Sequence, residues 1–218
     1  MTAASSAHWQ KEESIHEGLA GMITGIILAS GFSRRMQTEK LLLAVDGTPM
    51  VERVIQAAMS SLLDEVVLVY QNENIKKAGE KYGIKTVFNE RADAGQSASI
   101  KSGIAAASSG ADGFMFLVGD QPFLNAATIN LLIAAFKQAP HNIIIPVYNG
   151  KRGNPVIFQS TLKDELFALE GDRGGRVLIE KMPDRVSLVS IEDERLGIDV
   201  DTEEDYECAR NRYNQNGR

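Results

Sequence analysis

The sequence predicts an α/β fold, a three-layer arrangement in which a mostly parallel sheet carries helices on both faces. Three observations lead there. Strand-like and helix-like segments alternate from Gly25 to Val147. The strand-like segments, such as Ile26-Ile27-Leu28-Ala29, EVVLVY at 65–70 and GFMFLV at 113–118, are continuous apolar runs, as strands covered on both sides should be. Between them, apolar residues recur every three to four positions, the spacing of a one-sided helix.

Residues 26–29 form the first strand. It breaks into Ser30-Gly31 and a cationic cluster, Arg34, Arg35 and Lys40. A buried strand running into small residues and then bases suits a phosphate group. Backbone N–H groups can reach the anion, and the bases neutralise it. A turn followed by a solvated basic surface fits the same residues. An apolar run at 41–45 precedes the turn signal Asp46-Gly47. Thr48-Pro49 reads as N-cap and first residue of a helix whose apolar face is Met50, Val51, Val54, Ile55, Ala58 and Met59. A strand at 65–70, a polar helix at 74–82 ended by Gly83, and a strand at 84–88 follow. A polar loop at 89–95 leads to a small-residue helix at 96–107. The strand at 113–118 ends in Gly119-Asp120-Gln121-Pro122. A helix at 125–136 and a strand at 142–147 complete the alternation.

Beyond Tyr148 the pattern loosens. A polar loop at 149–155 precedes a short strand at 156–158 and a helix at 162–169. A Gly/charge loop at 171–176 leads to a helix at 177–181 and a strand at 185–191. A brief strand end at 197–201 precedes a last helix, capped by Thr202 and reaching Tyr213. The two polar loops fall outside the alternation and are candidates for a lid or a second-substrate site.

Composition narrows the classes. The chain has 218 residues and a net charge of −6, which disfavours a general nucleic-acid binder. Its single cysteine, Cys208, permits neither an internal disulfide nor a Cys-rich metal site, and fits a cytoplasmic setting. No run approaches the roughly 20 apolar residues of a membrane span. Residues 1–21 lack the apolar core of a signal peptide and read as a polar, weakly ordered arm before a single domain at 22–218. His8, His16 and His141 show no metal-ligand spacing.

In an open parallel sheet, ligands bind at the C-terminal ends of the strands, where strand order reverses. With the strands at 26–29, 65–70, 84–88 and 113–118 in the order 3-2-1-4, the loop from Ser30 to Lys40 lies beside Gly119-Asp120. A cationic cradle then faces a carboxylate. A metal-bound nucleoside triphosphate satisfies both, with Asp120 as an oxygen ligand for Mg²⁺. As a strand-end acid, Asp120 could also cap the helix that follows. No G-x-x-x-x-G-K-[ST], G-x-G-x-x-G or G-x-S-x-G pattern is suitably placed for a Walker loop, a dinucleotide site or a serine hydrolase.

Leu28-Ala29-Ser30-Gly31-Phe32-Ser33-Arg34-Arg35-Met36, with Lys40 shortly after, resembles the L-A-A-G-x-S-x-R-M…K signature of the nucleotidyltransferases with a pyrophosphorylase-like, Rossmann-like fold. Five further blocks resemble the molybdenum cofactor cytidylyltransferase branch. They are Gly95 to Lys101, Gly119-Asp120-Gln121-Pro122, Gly153-Asn154-Pro155-Val156, Gly171-Asp172-Arg173-Gly174 and Ile198-Asp199-Val200-Asp201-Thr202. The likeness spans roughly residues 22 to 212.

The resemblance implies transfer of CMP from CTP, with Mg²⁺, to the terminal phosphate of molybdopterin or the molybdenum cofactor, releasing pyrophosphate. Leu28, Ala29, Ser30 and Gly31 would hold the nucleotide. Arg35 would contact the β- and γ-phosphates, with Arg34 at a variable position beside it. Lys40 would stabilise charge on the α-phosphate, and Gly95, Gln96 and Ser99 would line base and ribose. Asp120 would hold the metal, joined by Asp199 or Asp201. Gly153, Asn154 and Pro155 would meet the acceptor. Lys40, Arg35 and Asp120 would carry the catalysis. Ser30 stands where alanine or glycine is usual, Gln37 where glycine often stands, and Asn154 where many relatives have histidine. These departures leave the base and the acceptor open. Alternatives are guanylyl transfer, transfer to a sugar phosphate, or a non-catalytic protein delivering cofactor to a molybdenum hydroxylase. If residues 1–21 are only an arm, a chain starting at Met22 should bind nucleotide as tightly as the full chain in a titration.

Overall fold

The computed structural model describes residues 21–31, 39–139 and 142–216. The anticipated arm, apart from Gly21, and both Arg34 and Arg35 lie outside the described residues. The strands are β1 (Met22–Ala29), β2 (Ala44–Val45), β3 (Thr48–Pro49), β4 (Glu65–Tyr70), β5 (Lys85–Phe88), β6 (Ala111–Val118), β7 (Ile143–Tyr148), β8 (Lys151–Arg152), β9 (Val156–Gln159) and β10 (Val186–Ile191). The helices are α1 (Met50–Met59), α2 (Glu73–Lys81), α3 (Gln96–Ala106), α4 (Ala126–Gln138), α5 (Lys163–Phe167), α6 (Arg176–Lys181) and α7 (Glu203–Asn216).

The main sheet runs β10-β7-β9-β6-β1-β4-β5, with β8 paired to β7. Its first half has the anticipated order, β5-β4-β1-β6, and is parallel throughout. The short strands β8 and β9 depart from this. β8 pairs antiparallel with β7, and β9 matters more. It inserts antiparallel between β6 and β7, which is why the alternation loosens after Tyr148.

The two faces of the sheet explain the continuous apolar runs. Successive strand side chains point to opposite faces. Ile23, Ile27 and Ala29 of β1 join one apolar cluster with Val54 and Ile55 of α1, Ile75 of α2 and Ile129 and Ile133 of α4. Ile26 and Leu28 join the opposite cluster with Ile100 and Ile104 of α3, Leu166 of α5 and Leu178 of α6. The strands therefore need apolar residues at every position.

Two local expectations change. Thr48-Pro49 does not open α1 as N-cap and first residue. Asp46 and Gly47 take positive φ values of 53° and 74°, a tight turn that pairs Thr48-Pro49 back onto Ala44-Val45. The hairpin uses Thr48, so Pro49 becomes the N-cap position and Met50 begins the helix. Likewise 197–201 is not a strand end. It meets the rim of the sheet through Val200 N–H, which donates to the Asp120 carbonyl at 3.0 Å. The cap at Thr202 holds: its Oγ1 accepts from Asp205 N–H at 3.1 Å, while the Asp205 carboxylate accepts from Thr202 N–H at 2.9 Å.

Helix α3 lies directly on β1 and β4 because Gly103 carries no side chain. A Cβ there would collide with Ile26 and crowd Val69. Alanine is the better helix former by about 1 kcal/mol. Overpacking a closed interface costs about 1–3 kcal/mol, so the clash should win. Gly103→Ala is therefore expected to lower the unfolding free energy in urea titrations despite its helix propensity.

Candidate functional site

Lys40 stands at the start of a short 3₁₀ turn, Lys40–Leu42, directly after the undescribed part of the loop. Its Nζ donates to Asp120 Oδ2 at 2.8 Å, to Asp201 Oδ1 at 2.8 Å and to the Val200 carbonyl at 3.2 Å. Asp120 follows the end of β6, and Asp201 precedes α7. The parallel pairing of β1 with β6 brings Lys40 and Asp120 to the same end of the sheet. Burial alone would lower the Lys40 pKa. The neighbouring Asp120 and Asp201 carboxylates outweigh that and hold it above the ordinary lysine value. The ammonium is thus fixed as a cation.

A cavity of about 420 Å³ opens beside this cluster. Leu28, Ser30, Gly31, Lys40, Gln96 and Asp120 are among its walls, as are Gly95 and Ser99. Eight of the residues anticipated for nucleotide and metal therefore share one cavity. Ala29 is buried behind it. Ser30 contributes less directly than expected, because its side chain turns inward. Its hydroxyl meets the Ser99 hydroxyl at 2.7 Å, and Asn89 Nδ2 donates to both, at 3.0 and 3.2 Å. This buried trio ties the loop after β1 to the N-terminus of α3. Gly95 holds φ at +90°, and a Cβ there would strike Asp172 and the Gly171 backbone. The 171–176 loop is thereby locked against α3, with Asp172 Oδ1 accepting from Gln96 N–H at 3.3 Å.

A second cavity of about 490 Å³ adjoins the first and shares Leu28, Gln96 and Val118 with it. Its walls include Ile100, Phe116, Ile145 and Phe158, and Arg152, Arg173 and Arg176 border it. Gly153 and Asn154 line it as anticipated, whereas Pro155 is buried. The Phe116 and Phe158 rings meet edge-on at 5.8 Å. The arginines belong to the polar loops at 149–155 and 171–176 that the sequence marked as a lid or second-substrate site, whereas Phe116 and Phe158 went unnoticed because no local spacing unites β6 with β9.

Among the described residues, no cluster of three or more His, Cys, Asp or Glu side chains is arranged to hold a metal ion. The three anticipated aspartates divide. Asp120 and Asp201 converge on one cation, Lys40. Asp199 accepts from Gln121 Nε2 at 2.9 Å. Two carboxylates aimed at one point are a suitable donor set for a hard divalent ion, which commonly takes one or two carboxylates and completes its shell with water and substrate phosphates. Gln121, absent from the anticipated site, is buried, and its Oε1 has no partner within the described residues.

Residues 25–186 match the family model described as the MobA-like NTP transferase domain. The chain belongs to the MobA-like NTP transferase family. Among curated relatives, the purine catabolism protein PucB of Bacillus subtilis is 32% identical over 86% of this chain and 96% of its own length. The nicotine blue oxidoreductase of Paenarthrobacter nicotinovorans is 30% identical over 84% of this chain and 93% of its own. A probable molybdenum cofactor guanylyltransferase of Natranaerobius thermophilus is 34% identical over 59% and 62%. The Mycobacterium tuberculosis Rv0371c structure in complex with manganese superposes with a TM-score of 0.74 at 26% identity, covering 87% of this chain and 98% of that one. The α/β architecture anticipated from sequence is the family's fold.

Burial, then the like charge of Asp120, pushes the Asp199 carboxyl up from 3.8 to about 6. Asp199 as a whole residue is exposed to solvent, which screens part of this effect. Between those two values the folded chain keeps a proton that the unfolded chain has lost, so stability falls as pH rises through about 6. Asp199→Asn, neutral at every pH and still able to accept from Gln121, should therefore be more stable than the parent at about pH 7.5. The advantage should vanish below about pH 4, which denaturant titrations at both pH values would check.

Proposed function

We propose that the protein transfers CMP from CTP to the terminal phosphate of molybdopterin or its metal-loaded form, releasing pyrophosphate, with Mg²⁺ as cofactor. The observation that carries this reading is the adjacency of two cavities. The one beside Lys40 is polar and small-residue-lined, suited to a nucleotide. Its neighbour combines aromatic walls with three arginines, suited to a planar heterocycle bearing phosphate. A transferase needs both substrates side by side, and the shared wall of Leu28, Gln96 and Val118 provides that contact.

The roles follow from charge and position. Both reactants are anions, so the protein's work is alignment and neutralisation. Lys40 would stabilise charge developing on the α-phosphate and the departing pyrophosphate. Asp120 and Asp201 would hold the metal, which supplies positive charge to the triphosphate. Ser30, fixed by Ser99 and Asn89, would set the backbone of Ala29 to Gly31 against the base. Arg34 and Arg35, from the adjacent loop, would take the terminal phosphates. A phosphate monoester is ionised near neutral pH, so no strong base is required. Asn154, with Gly153, would face the acceptor.

Guanylyl transfer is the second reading, favoured by the relative named a molybdenum cofactor guanylyltransferase. The Ala29-Ser30-Gly31 opening, rather than two glycines, supports the cytidylyl choice. Hydride transfer, suggested by the name of another relative, would leave Lys40, Asp120 and Asp201 without a task. A molybdenum hydroxylase apoenzyme would be the natural recipient of the product.

Lys40→Ala and Asp120→Ala should each cost on the order of 10²–10³-fold in turnover, measured at a temperature where circular dichroism shows each variant folded. The assay is pyrophosphate release with each of four NTPs and molybdopterin, with the dinucleotide identified by mass. Near-parental rates in both variants would sink the mechanism, and a GMP product would favour the guanylyl reading.

A further inference from the structure

We propose that Lys40 is the resident cation of the Asp120–Asp201 pair, and that a divalent ion can bind these carboxylates only by displacing its ammonium. The inference rests on the nucleotidyl-transfer reading and extends it to the order in which ligands assemble.

The geometry leaves little alternative. Two carboxylate oxygens sit 2.8 Å from one nitrogen, and a backbone carbonyl sits at 3.2 Å. Three oxygens from two chain segments thus converge on one positive centre, which is how a protein holds a hard ion. The Lys40 side chain is only 14% exposed, so the ammonium fills the position. A cation directed to both Asp120 and Asp201 meets Lys40 there and must break its two charge-assisted bonds.

The displaced ammonium has an obvious destination. Lys40 also lines the nucleotide cavity, together with Gly31 and Gln96. A triphosphate there offers an anion to replace the carboxylates that Lys40 gives up. Metal alone pays the full cost of displacement. Metal arriving with a triphosphate does not, because Lys40 exchanges one set of anionic partners for another. Metal and nucleotide should therefore bind with positive coupling, and each should bind poorly alone.

The test uses Lys40→Met, which keeps the stem and removes the charge. Mn²⁺ binding is measured by electron paramagnetic resonance without nucleotide, on the full chain. A hydrogen bond to a charged group contributes about 1.5–3 kcal/mol, so removing the competitor should tighten Mn²⁺ binding by on the order of tenfold or more. The coupling between Mn²⁺ and a non-hydrolysable nucleotide analogue should shrink towards unity in the same variant. Equal or weaker Mn²⁺ binding by a folded Lys40→Met would overturn the proposal.

A second measurement covers a variant that fails to fold. In the parent, acylation of Lys40, followed by peptide mass analysis, should rise as Mg²⁺ is titrated to millimolar levels, because the released amine loses its two carboxylates. Unchanged labelling under conditions where Mn²⁺ binding is seen would overturn it too. NTP turnover by the parent, run in parallel, separates the two readings. Turnover without exchange removes this inference alone, and exchange without turnover removes only the transfer reaction.

Discussion

One lysine, paired with two carboxylates, organises the rim of this molecule. The Lys40 ammonium joins the loop after β1, the end of β6 and the segment leading to α7. Each comes from a different part of the chain, and each would otherwise be a free end at the rim of the sheet. The pairing depends on strand order. With β1 and β6 as parallel neighbours, their C-terminal ends coincide, and the loop leaving one meets the acid following the other. Val200 N–H bonded to the Asp120 carbonyl then brings the final segment across the same rim. Tyr206 holds α7 against that region through its hydroxyl, which donates to the Ala44 carbonyl at 2.9 Å.

The opposite wall of the cavity beside Lys40 is rigid for another reason. Ser30, Ser99 and Asn89 are each 6% exposed or less, and their polar groups satisfy one another. Asn89 also accepts from Arg91 N–H at 3.1 Å, so its amide is used at both ends. A buried network of this kind is stable only when complete, because any orphaned member carries its full desolvation cost. The consequence reaches function. Ser30 cannot simply rotate towards a ligand without stranding Ser99 and Asn89. Any influence it has on a ligand must pass through the backbone of Ala29 to Gly31, which it anchors. That gives a physical meaning to a hydroxyl at a position where alanine or glycine is usual.

Much of this was legible in the sequence where the signal was local. The continuous apolar runs of β1, β4 and β6 forecast a two-sided sheet, and strand order then placed Lys40 opposite Asp120. The failures have a common cause. Thr48 looks like a cap, yet the Asp46-Gly47 turn uses it in a hairpin, and that competition is decided by backbone geometry outside the helix. Asp172 packs against Gly95 and Arg152 beside Phe158 only because β9 runs antiparallel between β6 and β7. Nothing in the intervening residues encodes that insertion as a spacing. Asp199 and Asp201 could not be told apart in sequence, since both flank Val200. The fold separates them by giving one to Gln121 and the other to Lys40.

Charge provides the strongest reason to expect a cation cofactor. Asp120 and Asp201 share a single lysine at the rim, and the nearby Asp199 carboxyl is pushed up to about 6 by burial and then by the like charge of Asp120. Even with Lys40 in place, this corner of the crevice is negative near neutral pH. A triphosphate brought to it would add further negative charge in a partly desolvated setting, where Coulomb repulsion is several-fold stronger than in bulk water. Only a positive centre at Asp120 and Asp201 removes the repulsion where it arises. The same excess explains why Lys40 stays there: without it, the Asp120 and Asp201 carboxylates would face one another with no counter-charge.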